Sequence, residues 1–283
     1  MILVIGSGLL GSDVIQVLGK DHDNVIGTYI ARPKNGSVKL DITDREEVFR
    51  TVRELKPEQI VHTAAMTNVD GCEDRMDEAL AINATGTKNV ADAAREAGSK
   101  LIYVSTDFVF DGRKGMYRED DPVNPISFYG YSKLLGEYYT IMTPGYAIAR
   151  TGVVFGNARQ NYVSWVRDSL KNNVKIKVVT DQYNSPTLSI DCAEAIAVII
   201  KNDATGIFHT AGSERVSRYE FAQKIAGHYG LDGSLIEPIT SAALSQKARR
   251  PGDSSLDTAK IRSLHEMLTI DKALKKLDKS SSQ

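Results

Sequence analysis

Tyr129-Gly130-Tyr131-Ser132-Lys133 sets a phenol and an amine four residues apart, on one face of any helix that holds them. Such a pair can pass a proton to a substrate oxygen, because the ammonium favours the phenolate left behind. A free tyrosine titrates near ~10, so exchange at neutral pH needs a fall of about 3 units, or roughly 4 kcal/mol. An ammonium at ~5 Å in an effective dielectric of ~20 supplies on the order of 3 kcal/mol. Tyr131 cannot head the same pair, since Leu135 stands four residues beyond it. A surface Tyr-Lys pair without a role is the plainer alternative, so the rest of the chain has to supply the chemistry around it.

Gly6-Ser7-Gly8-Leu9-Leu10-Gly11 supplies part of it. The run follows the aliphatic stretch Met1 to Ile5 and opens a helical pattern from Leu9 to Leu18. In a strand, turn and helix of this kind, the first glycine allows the turn and the second lets a pyrophosphate approach the backbone. The third lets helix and strand pack closely, and the helix N-terminus offers N–H donors to the anion. At the end of the next strand, Thr28-Tyr29-Ile30-Ala31-Arg32-Pro33-Lys34 holds no carboxylate for a ribose 2′-hydroxyl. Arg32, with Lys34 nearby, suits a 2′-phosphate instead, which points to NADPH ahead of NADH. The other reading of Arg32 is a solvated loop cation.

The elements that must position these groups alternate. Strand-like Met1 to Ile5, Val25 to Ile30, Gln59 to Thr63 and Lys100 to Ser105 are separated by helical patterns over Leu9 to Leu18, Asp44 to Leu55 and Asp77 to Ala97. That order implies βαβ units and a parallel sheet. Asp111 to Pro125 is rich in Gly, Asp and Pro and reads as a long loop between two candidate chemical segments, for which a functional role is expected. A helix over Ser127 to Met142 and a strand over Tyr146 to Thr151 follow. Beyond Gly156 the units shorten: helices near Tyr162 to Leu170, Asp191 to Ile200 and Arg218 to Tyr229, with strands near Lys175 to Val179 and Ile207 to Thr210. The expected fold is α/β, a doubly wound parallel sheet over residues 1–152, joined by a later helix near 188–202. The remainder of 153–283 forms a smaller C-terminal α/β lobe for the substrate.

Composition narrows the partners. In 283 residues, Lys and Arg number 35 against 36 for Asp and Glu, and the net charge of −1 gives no field for nucleic acid or an anionic membrane. Cys72 and Cys192 are far apart and unaccompanied, which suits a reducing cytoplasm. The apolar start is broken by glycines and reads as neither leader nor membrane span. His22, His62, His209, His228 and His265 show no ligand spacing, and no metal site is expected.

Together these residues resemble the extended short-chain dehydrogenase/reductase family and, more narrowly, the dTDP-4-dehydrorhamnose reductases. The likeness runs along nearly the whole chain. It comprises the glycine turn, Leu40 to Asp44, Ala64 to Asp70, Ser105-Thr106-Asp107-Phe108-Val109-Phe110-Asp111-Gly112, Tyr129 to Lys133 with Gly136-Glu137, and Arg150-Thr151. Asp181-Gln182, Ser185 to Thr187, Arg250-Pro251, Ser254 and Leu256 continue it. The resemblance implies a Rossmann-type fold and reduction of the C4 ketone of a nucleotide-linked 6-deoxysugar by NADPH, with NADH also used by many relatives. Thr106, Tyr129 and Lys133 would be the catalytic residues. Gly6, Ser7, Gly8, Leu9, Leu10, Gly11, Tyr29, Arg32, Asp41, Ile42, Ala64, Ala65, Thr67 and Ser105 would line the cofactor, with Asn83 supporting the central helix. Val69, Asp107, Val153 and Arg250 would face the sugar nucleotide, although Arg249 and Arg250 read equally as a solvated loop. A cytoplasmic homodimer would fit. Two departures stand out: the glycine turn is one residue shorter than usual in the family, and Val153 replaces an aromatic residue that often packs on the deoxysugar. Ala31-Arg32-Pro33-Lys34 is also similar to the regulatory β subunit of methionine adenosyltransferase, which implies the alternative of an NADP-binding partner protein. A reductase or epimerase for another nucleotide sugar is the other alternative.

Overall fold

The computed structural model describes residues 1–31, 33, 36–157 and 160–280. In chain order the first half holds β1 (Ile2–Ile5), α1 (Leu9–Leu18), β2 (Val25–Tyr29), β3 (Val38–Lys39), α2 (Arg45–Leu55), β4 (Gln59–His62), α3 (Val69–Asp74), α4 (Met76–Ala79), α5 (Thr87–Ala97), β5 (Lys100–Thr106), α6 (Phe128–Thr140) and β6 (Ala147–Thr151). The second holds β7 (Val154–Phe155), α7 (Tyr162–Lys171), β8 (Ile176–Val179), β9 (Tyr183–Asn184), β10 (Thr187–Leu188), α8 (Ser189–Lys201), β11 (Gly206–His209), β12 (Val216–Ser217), α9 (Arg218–His228), β13 (Ile236–Ile239), α10 (Ala259–Arg262) and α11 (Ile270–Ser280).

Seven strands form one sheet in the order β11-β6-β5-β4-β1-β2-β3, every pairing parallel. Its strands are apolar on both faces, as a sheet covered by helices on each side requires. Alternation sorts them: Ile2 and Val4 pack with α1 and α8 residues such as Val14 and Ile196. Leu3 and Ile5 face the opposite way, onto Val48 and Val52 of α2 and Val90 and Ala94 of α5. A second core gathers Phe155, Val166, Phe221, Ile225 and Leu274 where α7, α9 and α11 meet β8, β10 and β13. Caps fix these helix starts: Ser127 accepts from Gly130 N at the head of α6, and Ser217 with Glu220 forms a capping box at α9.

The structure departs from the sequence-based expectation in several places. β11, read from sequence as part of the second lobe, pairs with β6 and completes the main sheet, because its neighbour α8 already packs against α1 across one face. The helix expected over Asp77 to Ala97 is interrupted by a π-helical stretch from Leu80 to Gly86. There Asn83 accepts from Met66 N at 2.8 Å and donates to Met66 O and Ser132 Oγ, both at 3.0 Å. The wide turn gives the amide that reach, at the cost of regular helix geometry. None of the long loop's residues lines the main cleft. Tyr117 instead stacks on Phe110 at 4.2 Å and exchanges backbone bonds with Ser255 and Asp257, so the loop fastens residues 253–257 to the first half.

Beneath the sheet's carboxyl edge lies a buried ion pair. Arg150 of β6 donates to both Glu137 oxygens of α6 at 2.9 and 2.7 Å, and its guanidinium stands 5.1 Å over the Phe110 ring. Removing one partner leaves the other buried and uncompensated, so Glu137→Leu should lose ~3–5 kcal/mol of unfolding free energy. The double variant Glu137→Leu/Arg150→Met should recover much of that loss in denaturant melts. A single variant as stable as the wild type would contradict this reading of the pair.

Candidate active site

The loops after β1, β3, β4, β5 and β6 open together at the carboxyl edge of the sheet, where open α/β folds bind ligands. They bound a cleft of about 1480 Å³. Gly6, Ser7, Gly8, Leu9, Leu10 and Gly11 form one end of it, with Tyr29, Asp41 and Ile42 beside them. Ala64, Ala65, Thr67 and Val69 follow β4, Ser105, Thr106 and Asp107 close β5, and Val153 follows β6. α6 contributes Tyr129 and Lys133. Among the described residues, the cleft therefore gathers every sequence-based candidate except Asn83, Arg249 and Arg250. Asn83 sits behind the wall in the bonds described above. Arg250 turns to Asp70, with Nη1 3.0 Å from its Oδ1, and to Ala248 O. Arg32 and Lys34 lie outside the described residues.

Close packing sets the geometry. Gly6 has φ +101°, and a Cβ there would stand 2.8 Å from Ala64 N, so the turn after β1 tucks under the loop after β4 only as glycine. A Cβ on Gly130 would meet Phe108 O at 2.2 Å. That bare backbone lets the first turn of α6 press on the loop after β5, bringing Tyr129 to Thr106.

Each polar group in the floor then has a defined partner. Lys133 Nζ donates to Val104 O at 2.8 Å and stands 4.1 Å above the Tyr103 ring. Burial lowers the Lys133 pKa to about 7, against the pull of the Glu137 charge. Thr106 Oγ1 lies 3.0 Å from Asp107 Oδ1 and accepts from Phe108 N at 3.2 Å. Ser254 donates to the other Asp107 oxygen from across the cleft wall. Burial pushes the Asp107 carboxyl up to about 6, with the Ser254 and Thr106 bonds and the Arg218 charge opposing.

The phenol departs from expectation. Burial raises the Tyr129 pKa above its ordinary value, and the Thr106 bond only partly offsets it. The anticipated lowering by Lys133 does not prevail, because desolvation is the largest influence on the phenol and the Asp107 and Cys72 groups act in the same direction. At neutral pH the phenol holds its proton, which suits a donor.

Sequence reasoning missed the opposite wall, where Gln160, Asn161, Tyr162 and Arg218 line the cleft. The Arg218 guanidinium stands 5.1 Å over the Tyr162 ring. A signal was available: Arg218 is the first residue of α9, where a cation opposes the helix dipole. Val153 carries strain as well, at φ +45°, a left-handed conformation that a β-branched residue rarely adopts.

The chain fits a dinucleotide on its own features. A Cβ at Gly8 would meet nothing within 4 Å, leaving the backbone at the start of α1 open to an anion. Ser105 Oγ is buried at the cleft without a hydrogen-bond partner among the described residues. Elsewhere His265, Asp191 and Glu194 lie close enough for a cation, yet His265 bonds Asp191 at 2.9 Å and Lys276 bonds both Glu194 oxygens at 2.6 Å.

A parallel sheet with a glycine turn at its edge and a Tyr-Lys pair over the same cleft defines an oxidoreductase of the extended short-chain dehydrogenase/reductase type. Within that class the chain belongs to the RmlD substrate-binding family, whose model matches residues 1–279. A dTDP-4-dehydrorhamnose reductase of Aggregatibacter actinomycetemcomitans is 36% identical over 79% of this chain and 80% of its own. Methionine adenosyltransferase 2 subunit beta of Bos taurus is 30% identical over 93% of this chain and 82% of its own. A crystal structure of the Bacillus anthracis dTDP-4-dehydrorhamnose reductase in complex with NADP superposes with a TM-score of 0.91, at 30% identity, over 99% of this chain and 98% of that one.

The Asp107 environment has a measurable cost. Its folded pKa is raised, so the native state holds the proton more tightly than the unfolded chain between about 4 and about 6. Stability from that carboxyl is complete below its unfolded pKa and is lost as pH rises through the folded one. Asp107→Asn removes the titration, so the variant should gain on the wild type by up to ~3 kcal/mol between pH 4 and 7 in denaturant melts. A stability difference independent of pH would contradict it.

Proposed function

We propose that the protein reduces the C4 ketone of a nucleotide-linked 6-deoxysugar with NADPH, as a dTDP-4-dehydrorhamnose reductase. The observation that carries this reading is the convergence of Tyr129, Lys133 and Thr106 at the floor of the cleft that opens beside the glycine turn. When bound, the reduced nicotinamide supplies the hydride. The chain's own groups do the rest. Gly6 to Gly11 present backbone N–H groups to the pyrophosphate, Asp41 and Ile42 bound the adenosine side, and Ala64, Ala65, Thr67 and Ser105 line the path inward. The sequence supplies Arg32 as the partner of the 2′-phosphate in this scheme.

Tyr129 donates its proton to the developing alkoxide. Thr106 holds its hydroxyl toward Asp107 at rest and can turn it to the phenolate once that proton has left. Lys133 keeps a positive charge beside the same centre, where negative charge develops. Val69, Asp107 and Val153 face the sugar. Arg218, half-buried and lining the cleft, serves the diphosphate in place of Arg250, whose guanidinium is held by Asp70. Residues 1–152 with the segment 188–209 thus bind the cofactor, and most of the remainder binds the sugar nucleotide.

We place the enzyme in the cytoplasm, as its buried free thiols Cys72 and Cys192 suggest; among the described residues no helix is long and apolar enough to cross a membrane. A homodimer belongs to the same proposal, as does the use of NADH beside NADPH. The likeness to a methionine adenosyltransferase subunit supports a second reading, a cofactor-binding regulatory protein without turnover. A complete proton-donating set favours the enzyme.

Tyr129→Phe keeps the ring and loses only the hydroxyl. Turnover should fall by at least ~10²-fold, the usual scale for a positioned acid, with NADPH affinity little changed. Thr106→Val should cost less, since it removes one hydrogen bond and no transferred proton. Near-normal turnover of a 4-keto sugar nucleotide by Tyr129→Phe would mean that another acid serves.

A further inference from the structure

The Lys133 ammonium is buried, yet among the described residues no carboxylate bonds it directly. Its partners are a carbonyl, Val104 O at 2.8 Å, and an aromatic face, Tyr103 at 4.1 Å. An ammonium has three donors, so the Val104 bond leaves two, and the ring occupies a further side. The ring is itself fixed. Tyr103 is fully buried in β5, its hydroxyl lies 3.5 Å from Lys133 O, and the His62 ring is 5.5 Å away. Glycine at position 136 makes the room, because a Cβ there would stand 2.4 Å from the Tyr103 hydroxyl.

From this geometry we infer that Tyr103 is a positioning residue, whose ring face and the adjoining Val104 carbonyl form a socket that supports the charged form of Lys133 against burial and aims its remaining N–H groups into the cleft. The attraction between a desolvated ammonium and the electron-rich face of a ring favours the charged form. Burial alone acts in the opposite direction. The socket itself is independent of the proposed reaction, whereas the use of the aimed N–H groups on a cofactor rests on the reductase reading.

Other charged and titratable groups near Lys133 are accounted for. Glu137, on α6, is taken by Arg150 of β6. His62 of β4 is kept neutral by burial and by the Lys133 charge. Tyr129, also on α6, is protonated, and Asp107 after β5 is held by Ser254 and Thr106. Glu73 of α3 caps the start of α6 through Phe128 N, and Glu78 of α4 pairs with Arg75. Asn83 and Thr87, on the helical segments packed against α6, do not titrate.

The test varies the ring's electrons at nearly constant shape. Position 103 is occupied in turn by phenylalanine and by its mono-, di- and trifluorinated forms, and Lys133 is titrated directly through a ¹³Cε-lysine label assigned with Lys133→Met. Tyr103→Phe should keep the Lys133 titration of the wild type. Each added fluorine should then lower it, by about half a unit to one unit across the series. A titration that stays the same throughout would overturn the proposal, as would a fall already complete in Tyr103→Phe. The pH profile of NADPH oxidation, read in parallel, should lose its basic limb at correspondingly lower pH. A fluorine trend in the label with no NADPH oxidation in any variant would uphold the socket and count only against the reductase reading.

Discussion

A lysine ammonium in the floor of the cleft is the constraint on which the rest of this structure depends. Left uncompensated there, a charge would cost a large share of the whole stability of a folded domain. Compensation comes from the Val104 carbonyl, the Tyr103 face and the nearby Glu137 carboxylate. Glu137 is in turn balanced by Arg150. These groups lie on β5, α6 and β6, so electrostatics fix how the helix that carries Tyr129 and Lys133 sits against the two strands that flank the site.

The same packing keeps the Tyr129 phenol protonated at neutral pH. Desolvation that lowers the lysine raises both the phenol and the Asp107 carboxyl. The displacements share one cause, since burial favours the neutral form of each group. Asp107 adds a link between the halves of the molecule, since its two oxygens are held by Thr106 and by Ser254 of the segment anchored to Tyr117. Val153, strained at φ +45°, lines the same cleft.

Much of the architecture was legible in the sequence because the βαβ rhythm is written in long runs: Ile2 to Ile5, Lys100 to Thr106 and the helices between them. Two-residue strands such as β3 and β7 leave no periodicity to read. The membership of β11 in the main sheet depended on long-range pairing with β6, which local pattern does not encode. In the site, Tyr129, Lys133 and the glycine turn could be picked out by their spacing, whereas Thr106 came only with the family resemblance. Glu137 and Arg150 were recognisable as matched residues, but only the fold shows them as each other's partners. Arg250 could not be told from a solvated or structural cation, and the one local signal of Arg218 was a cation at the head of α9, against the helix dipole.

The central claim is that the cleft delivers hydride to a sugar carbonyl while Tyr129 supplies the proton. Its most direct measurement offers the protein NADPH deuterated at the transferable C4 position together with a dTDP-linked 4-keto-6-deoxysugar, and locates the label by NMR. The account expects deuterium at C4 of the sugar, one atom for each NADPH consumed. NADPH that binds and stays unoxidised, or a product labelled at any other carbon, would contradict it.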